Sequence, residues 1–425
     1  MSPREKCGGV FEQVQIRNIS QRREAGQLRA TAAVSFEDGA TAARQIHVVV
    51  DGEPALTEEQ VCNGFALLCI VFAWEAGEAR LAVDGPVDPW LRLGLTTAQS
   101  YLNAWFHRNH VVALEAEDSP AGPRGGSAPA PGAAQFFSGG LDSLFTLFHL
   151  NETLPPYHPL RISYCIHGLG VDLAETPGDE ATTTLHRLQT EAARKVVPAL
   201  GAELVQVRTN ARTLNPSANL YAEKLHAALL AGLAQFLGSD FSDCFLSSTS
   251  DIATLRPWGS HPLLDAHYST STLRIRHYGE RYSRLEKLAG ISARPDLTAN
   301  LRVCSKQHQT HPDFLNCGRC RKCVLGWLGY LALGIDTTHT FPGKLPLPEE
   351  VRSAIAPIAN RFNERQAAEL IAPLKSLGHP ALATVLQEEV VKAQRYLDWL
   401  DGRTLGAQVK RKLARVQQRL RLGGT

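Results

Sequence analysis

The chain has 425 residues, too many for one ordinary domain, so two or three are expected. Apolar residues at 44% and charged residues at 20% fit a soluble globular protein with a full core. The 44 basic and 42 acidic side chains leave a formal charge of +2, which excludes an electrostatic case for a nucleic-acid partner across the whole surface.

The opening residues, Met1 to Lys6, lack the apolar core and small-residue cleavage site of a signal peptide, and a cytoplasmic protein is expected. Residues 1–116 read as a small α+β accessory domain. Apolar positions alternate over Leu28 to Phe36, Ile46 to Val50 forms a second strand-like run, and Asp51-Gly52 marks a turn. Two helices follow, near Glu58 to Phe72 and Pro89 to Phe106. The longest apolar run, Val61 to Trp74, is about two-thirds of a membrane span and contains Asn63 and Gly64, so it predicts a buried helix and no membrane association. Residues 117–132 are rich in proline, glycine and serine and read as a linker, because they cannot bury enough apolar surface to offset their ordering entropy.

From 133 to 343 strands and helices alternate. Ala133 to Phe137 is a short strand, followed by Ser138-Gly139-Gly140-Leu141-Asp142-Ser143 and an apolar helix. Leu160 to Ile166, Leu204 to Val207 and Cys244 to Ser247 are further strands. Helices are expected through Leu185 to Leu200, ending at Gly201, and over Leu225 to Leu237. This alternation predicts an α/β fold with a doubly wound, mostly parallel sheet, whose ligands bind at the carboxyl ends of the strands. Residues 344–425 read as a helical extension. Its last helix, Leu405 to Leu422, carries Lys410, Arg411, Lys412, Arg415, Arg419 and Arg421 with no acidic residue.

Two motifs carry chemistry. In the glycine loop, adjacent glycines let the backbone approach a ligand without Cβ clashes. The following helix offers unpaired N–H groups and a positive dipole end, which suit a phosphate. Ser138 and Ser143 add hydroxyl donors. Asp142 would repel a bare phosphate and makes most sense as a ligand to Mg²⁺ bridging a nucleotide. The Gly-Lys-Ser/Thr ending of a Walker loop is absent, which argues against γ-phosphate transfer.

The second motif is Cys304-x12-Cys317-Gly318-Arg319-Cys320-Arg321-Lys322-Cys323, four cysteines within twenty residues. Cys7, Cys62, Cys69, Cys165 and Cys244 are scattered. Four thiolates at that spacing predict a closed, structural zinc site, with Arg319, Arg321 and Lys322 offsetting its negative charge. An iron–sulfur cluster is the competing metal reading. His308 and His311, in the intervening loop, are read as solvent-exposed.

The glycine loop resembles the SGGxDS loop of the N-type ATP pyrophosphatases, the PP-loop family, whose members cleave ATP between the α and β phosphates and pass AMP to a carboxylate or carbonyl oxygen. With the cysteine cluster about 160 residues further on, residues 133 to 340 resemble 7-cyano-7-deazaguanine synthase. The resemblance implies an ATP-dependent ligase that adenylylates 7-carboxy-7-deazaguanine with ATP and Mg²⁺ and then adds ammonia, giving an amide and a nitrile. It implies nucleotide contacts at Ser138, Gly139, Gly140, Leu141, Asp142 and Ser143, and at Tyr164 and His167 by the second strand end. Deazaguanine contacts are implied at Asp251, Trp258, His261 and Asp265, with Arg284 preferred to Lys287 as the cation beside the phosphates.

The chain departs from the typical synthase, which is about half this length and has a different central substrate loop. Synthase-like proteins with such extensions resemble those of bacterial antiphage operons, where the activated deazaguanine is joined to a protein amine. A protein partner or protein substrate reaching the N-terminal domain or the basic C-terminal helix is one expectation. Two other readings stand beside it: a PP-loop tRNA-thiolating enzyme using Cys165, and a non-catalytic nucleic-acid-binding protein using the zinc knuckle and the basic helix.

Overall fold

Alternating apolar strands and helices with one or two apolar faces can bury those faces only by stacking helices on a sheet. The computed structural model describes residues 13–36, 43–119, 132–172, 180–238, 240–304 and 313–401. The chain divides into two compact units, the first formed by Met1–Thr249, Arg256–Glu280 and Asn300–Arg302, the second by Ser250–Leu255, Arg281–Ala299 and Val303–Thr425.

The first unit is built on one ten-stranded sheet. Its strands are β1 (Gln13–Glu24), β2 (Gln27–Ser35), β3 (Arg44–Asp51), β4 (Arg80–Val87), β5 (Ala113–Asp118), β6 (Ala133–Phe136), β7 (Ile162–Leu169), β8 (Glu203–Thr209), β9 (Asp243–Ser247) and β10 (Arg274–Tyr278). They lie in the order β10-β9-β6-β7-β8-β3-β2-β1-β4-β5. The five strands from β6 onward are all parallel, with β6 paired to both β7 and β9. From β6 the chain steps outward through β7 to β8, then crosses back to place β9 and β10 on the other side of β6, as in a doubly wound α/β sheet, so the switch point falls between β6 and β9.

The expected boundary at 117–132 does not separate two sheets. β3 pairs antiparallel with β8 through Val48–Thr209, Val49–Arg208 and Val50–Val207, which carries the sheet across it. Residues 120–131 of the expected linker lie outside the described residues. The core is likewise continuous, running from Val14 and Ile16 on β1 through α1 (Glu58–Ala76) to Leu246 and Ile275 on β9 and β10. α1 carries the long apolar run and is buried at every position from Gln60 to Trp74, as a two-faced interior helix requires. No helix among the described residues is long and apolar enough to cross a membrane.

The remaining helices of this unit are α2 (Pro89–Phe106), α3 (Leu141–Thr153), α4 (Glu180–Ala199), the single turn α5 (Ala218–Leu220) and α6 (His226–Gln235). A π-turn over Tyr221–Leu225 runs directly into α6. Such turns are uncommon and concentrate at functional sites. Gly259 explains this one: its backbone N–H donates to the carbonyl of Ala222 and its carbonyl accepts from Ala227. A Cβ there would stand 2.7 Å from His226 Nδ1 and 2.9 Å from the Ala222 carbonyl oxygen.

The second unit is helical, with α7 (Arg284–Ile291), α8 (Pro295–Ala299), α9 (Arg321–Ala332), α10 (Pro348–Ile355), α11 (Arg361–Ala368), α12 (Ile371–Ser376) and α13 (Pro380–Leu400). Leu328, Val351, Ile355, Leu374 and Leu386 centre its own hydrophobic core. The expected basic helix 405–422 lies outside the described residues.

Candidate functional site

The glycine loop leaves β6 at the switch point. Gly139 has φ of +71°, a left-handed backbone that a side chain would strain, with no atom within 4 Å of where a Cβ would stand. Gly140 precedes α3 as its N-cap and brings no side chain to bond the helix N–H groups. The loop instead holds its shape from within. Ser143 Oγ donates to the Gly140 carbonyl (3.1 Å) and accepts from the Ser138 N–H (3.3 Å), and Ser138 Oγ accepts from the Gly140 N–H (3.3 Å). The backbone N–H of Arg302 donates to the Gly139 carbonyl at 2.9 Å, a one-residue parallel bridge that fastens Arg302 to the loop.

Beside the loop is a cavity of about 190 Å³. Ser138, Asp142, Ser143 and Arg302 line one part of it; His167, Asp172, Tyr221 and His226 line another, with Ser247 from the end of β9 and Thr249 and Ser260 from beyond it. Among the described residues the cation lining this cavity is Arg302, for which no local motif stands in the sequence. With its carboxamide oxygen turned toward the guanidinium, Gln189 accepts from Arg302 Nε at 2.7 Å.

His167 sits at the end of β7, only 2% exposed, with Nδ1 3.0 Å from the Phe137 carbonyl oxygen. Burial holds its imidazole below the usual histidine range, and the positive charge of Arg302 acts in the same direction. The His186 ring stacks on it at 5.3 Å and is held at about 4, chiefly by burial, with His167 adding to the effect. A pH dependence follows. The unfolded chain binds a proton at His186 near the ordinary pKa of about 6.5, whereas the folded chain resists it. The contribution of His186 to stability should therefore be constant above about pH 7 and fall as pH drops from about 6.5 toward 4. His186→Gln should raise the melting temperature relative to the parent more at pH 5 than at pH 7.5; equal shifts at the two pH values would contradict this assignment.

Several residues expected at the site occupy other positions. Tyr164 does not line the cavity; its ring packs on Phe241 at 5.9 Å. Asp265 is fully buried and accepts from Ser260 Oγ (2.6 Å), the His261 N–H (2.9 Å) and His277 Nδ1 (2.7 Å). It positions Ser260, which does line the cavity, instead of offering its own carboxylate. His261 packs edge-on against Trp105 at 4.9 Å, and Trp258 lies under the Arg256 guanidinium at 4.3 Å. Asp251 belongs to the second unit, where it pairs with Arg365 Nε at 2.6 Å and accepts from Thr254 Oγ1 at 2.6 Å. Arg284 opens α7 in that unit, directly after the N-cap Ser283. Asp172, Tyr221 and His226 were not expected, because the loop after β7 and the π-turn bring together residues with no common spacing.

The cysteine cluster is a separate site in the second unit. The sulfurs of Cys304, Cys317, Cys320 and Cys323 all lie within 4.8 Å of one another. Cys304–Cys320 and Cys317–Cys323 are 3.7 and 3.8 Å apart. Tetrahedral zinc with bonds of about 2.3 Å places its sulfurs about 3.8 Å apart, so the four thiols fit one zinc ion. An array this tight surrounds a single ion and leaves no room for the several irons and bridging sulfides of a cluster. The second shell is built as well: Asn316 Oδ1 accepts from the N–H groups of Val303 and Cys304, and its Nδ2 donates to the Thr340 carbonyl. All four positions come from the protein, so the metal would be structural. His308 and His311 lie outside the described residues.

Comparison with family models, curated protein sequences and solved structures gives no match. The geometry of the two sites therefore carries the functional reading.

Proposed function

We propose that this chain is an ATP-dependent ligase of the 7-cyano-7-deazaguanine synthase type. In this reading the cavity binds ATP with its phosphates over the glycine loop, and a carboxylate oxygen of 7-carboxy-7-deazaguanine attacks the α phosphorus. The bond to pyrophosphate breaks, leaving an acyl adenylate. An amine then attacks the acyl carbon and AMP departs. Ammonia as the amine gives the amide; a second ATP would adenylylate the amide oxygen, and loss of AMP with the amide protons would leave the nitrile. A protein amine leads to a deazaguanine–protein conjugate, the outcome that would suit antiphage defence.

The observation that carries the reading is the loop's place in the fold. An uncapped helix N-terminus at the switch point of a parallel sheet, opening on a cavity with one arginine, is an arrangement made for an anion. The N–H groups of α3 and the hydroxyls of Ser138 and Ser143 would hold the phosphates. Arg302 would stabilise the charge that develops on the departing pyrophosphate. Asp142, a single carboxylate on the first turn of α3, suits Mg²⁺, which takes one or two carboxylates and completes its shell with substrate phosphates. That ion would neutralise phosphate charge there. Incubation with ATP, Mg²⁺ and the carboxy-deazaguanine should yield AMP and pyrophosphate, and added ammonia should reveal whether nitrile is released efficiently. No AMP under any of these conditions would remove the proposal.

The thiolation alternative requires an ionised sulfur at the cavity. Cys165 is fully buried within β7, does not line the cavity, and burial pushes its thiol well above the usual range. Cys165→Ala should retain turnover within about twofold, as expected for a small buried hydrophobe; loss of the second half-reaction alone would restore the sulfur-transfer reading.

A further inference from the structure

Among the described residues, two side-chain atoms of cavity-lining residues are buried without a hydrogen-bond partner: His167 Nε2 and Ser247 Oγ. The first has a defined chemistry. A carbonyl only accepts, so the contact between His167 Nδ1 and the Phe137 carbonyl puts the proton on Nδ1 and leaves the lone pair on Nε2. His226 repeats the arrangement from the π-turn side, with Nδ1 3.1 Å from the Ala222 carbonyl oxygen. Burial keeps both rings neutral at physiological pH, so neither Nε2 turns into a donor. Asp172 adds a carboxylate, which accepts from the Tyr221 hydroxyl at 3.0 Å. This part of the cavity is therefore rich in fixed acceptors, whereas the Arg302 guanidinium and the hydroxyls of Ser138 and Ser143 gather at the loop. A buried acceptor that has left water without a partner is destabilising, and is retained where a ligand supplies the missing donor.

We propose that His167, His226 and Asp172 form a specificity subsite for the amino-bearing edge of a heterocycle, with Nε2 of His167 accepting directly from an exocyclic amino group. The proposal rests on the reading of the cavity as a nucleotide and deazaguanine site, and two molecules in that reaction carry such an edge: the adenine of ATP and the 2-amino lactam of the carboxylate substrate. An oxo group or a bare C–H in place of the amino group would leave the imidazole lone pair facing another lone pair or no partner.

The test is equilibrium binding to the full-length protein with two matched pairs of probes. One pair is α,β-methylene-ATP and α,β-methylene-ITP; the other is 7-carboxy-7-deazaguanine and its analogue lacking the 2-amino group. The parent protein is expected to prefer the amino-bearing member of one pair by at least about tenfold. His167→Phe, which keeps a ring but has no acceptor, should bring that preference to within about twofold, and His167→Gln, which offers an amide oxygen, should restore part of it. The pair that responds identifies the source of the amino group. Should His167→Phe fail to fold, His226→Phe is expected to erode the same preference. A parent with no preference in either pair, or variants that keep the preference unchanged, would overturn the subsite. Amino preference without AMP formation would overturn the ligase reading and leave the subsite standing; AMP formation without preference would do the reverse.

Discussion

Replacing Arg302 with methionine is expected to lower the rate of AMP formation about 10²–10³-fold, the range seen when one group stabilising a developing charge is removed. The substitution keeps the backbone N–H, and with it the 2.9 Å bond to the Gly139 carbonyl, so the loop retains its fastening. Methionine also keeps most of the aliphatic stem, so the melting temperature should stay within a few degrees of the parent. The uncapped N-terminus of α3 would still attract the triphosphate. The loss should therefore fall mainly on kcat, because charge accumulates on pyrophosphate only as its bond to the α phosphorus breaks. Arg302→Lys, with a charge but no planar fork, should lie between the two. Steady-state assays of AMP release decide the matter: an Arg302→Met variant within about threefold of the parent would remove this arginine from the chemistry.

The second large effect concerns the cysteine cluster. Zinc held by four thiolates contributes folding free energy directly, with apparent values of about 10–16 kcal/mol for small zinc-dependent peptides. Its removal here would leave four sulfurs crowded within 4.8 Å of one another, at the junction of the Cys304 segment and α9. Purified protein should contain one zinc per chain, and stripping it with a strong chelator should lower the calorimetric transition of the second unit by more than about 10 °C. Cys320→Ser should bind zinc more weakly and show a similar shift without chelator. Metal analysis that found iron, or a transition unmoved by chelation, would contradict the assignment. Asn316→Ala tests the surrounding shell: it removes one acceptor shared by the Val303 and Cys304 N–H groups, and should weaken zinc affinity about 10–100-fold.

What the sequence discloses is uneven, for physical reasons. The strand at 133–136 and the helix from Leu141 were legible because an apolar run meets two glycines and then a new apolar period, a sharp change over few residues. The cysteine cluster was legible because ligand spacing is local. α1 was legible as a buried helix because its apolar run is too short and too interrupted to span a bilayer. By contrast, β1 is a central strand written as QVQIRNISQRRE, with only Val14 and Ile16 marking a buried face before its register shifts between Arg17 and Ser20. β5 and β10 are short and bury little, and β4 alternates only from Arg80 to Val83 before Asp84-Gly85-Pro86 interrupts it.

The cavity is harder still. Arg302 reaches the loop through a single backbone bridge, and Tyr221 and His226 are aimed by a π-turn that Gly259 wedges open from more than thirty residues away. Neither device leaves a period or motif in the chain. The acidic residues that the resemblance implies for substrate contact, Asp251 and Asp265, are each engaged by a partner that only the folded chain brings near, Arg365 for one and His277 for the other.

The most direct test of the cavity's chemistry is to incubate the full-length protein with ATP labelled at the α phosphate, Mg²⁺ and 7-carboxy-7-deazaguanine, and to separate the labelled products. Label in AMP and in an acyl adenylate, with pyrophosphate released in equal amount, is the expected result. Label appearing in ADP, or remaining wholly in ATP, would contradict it.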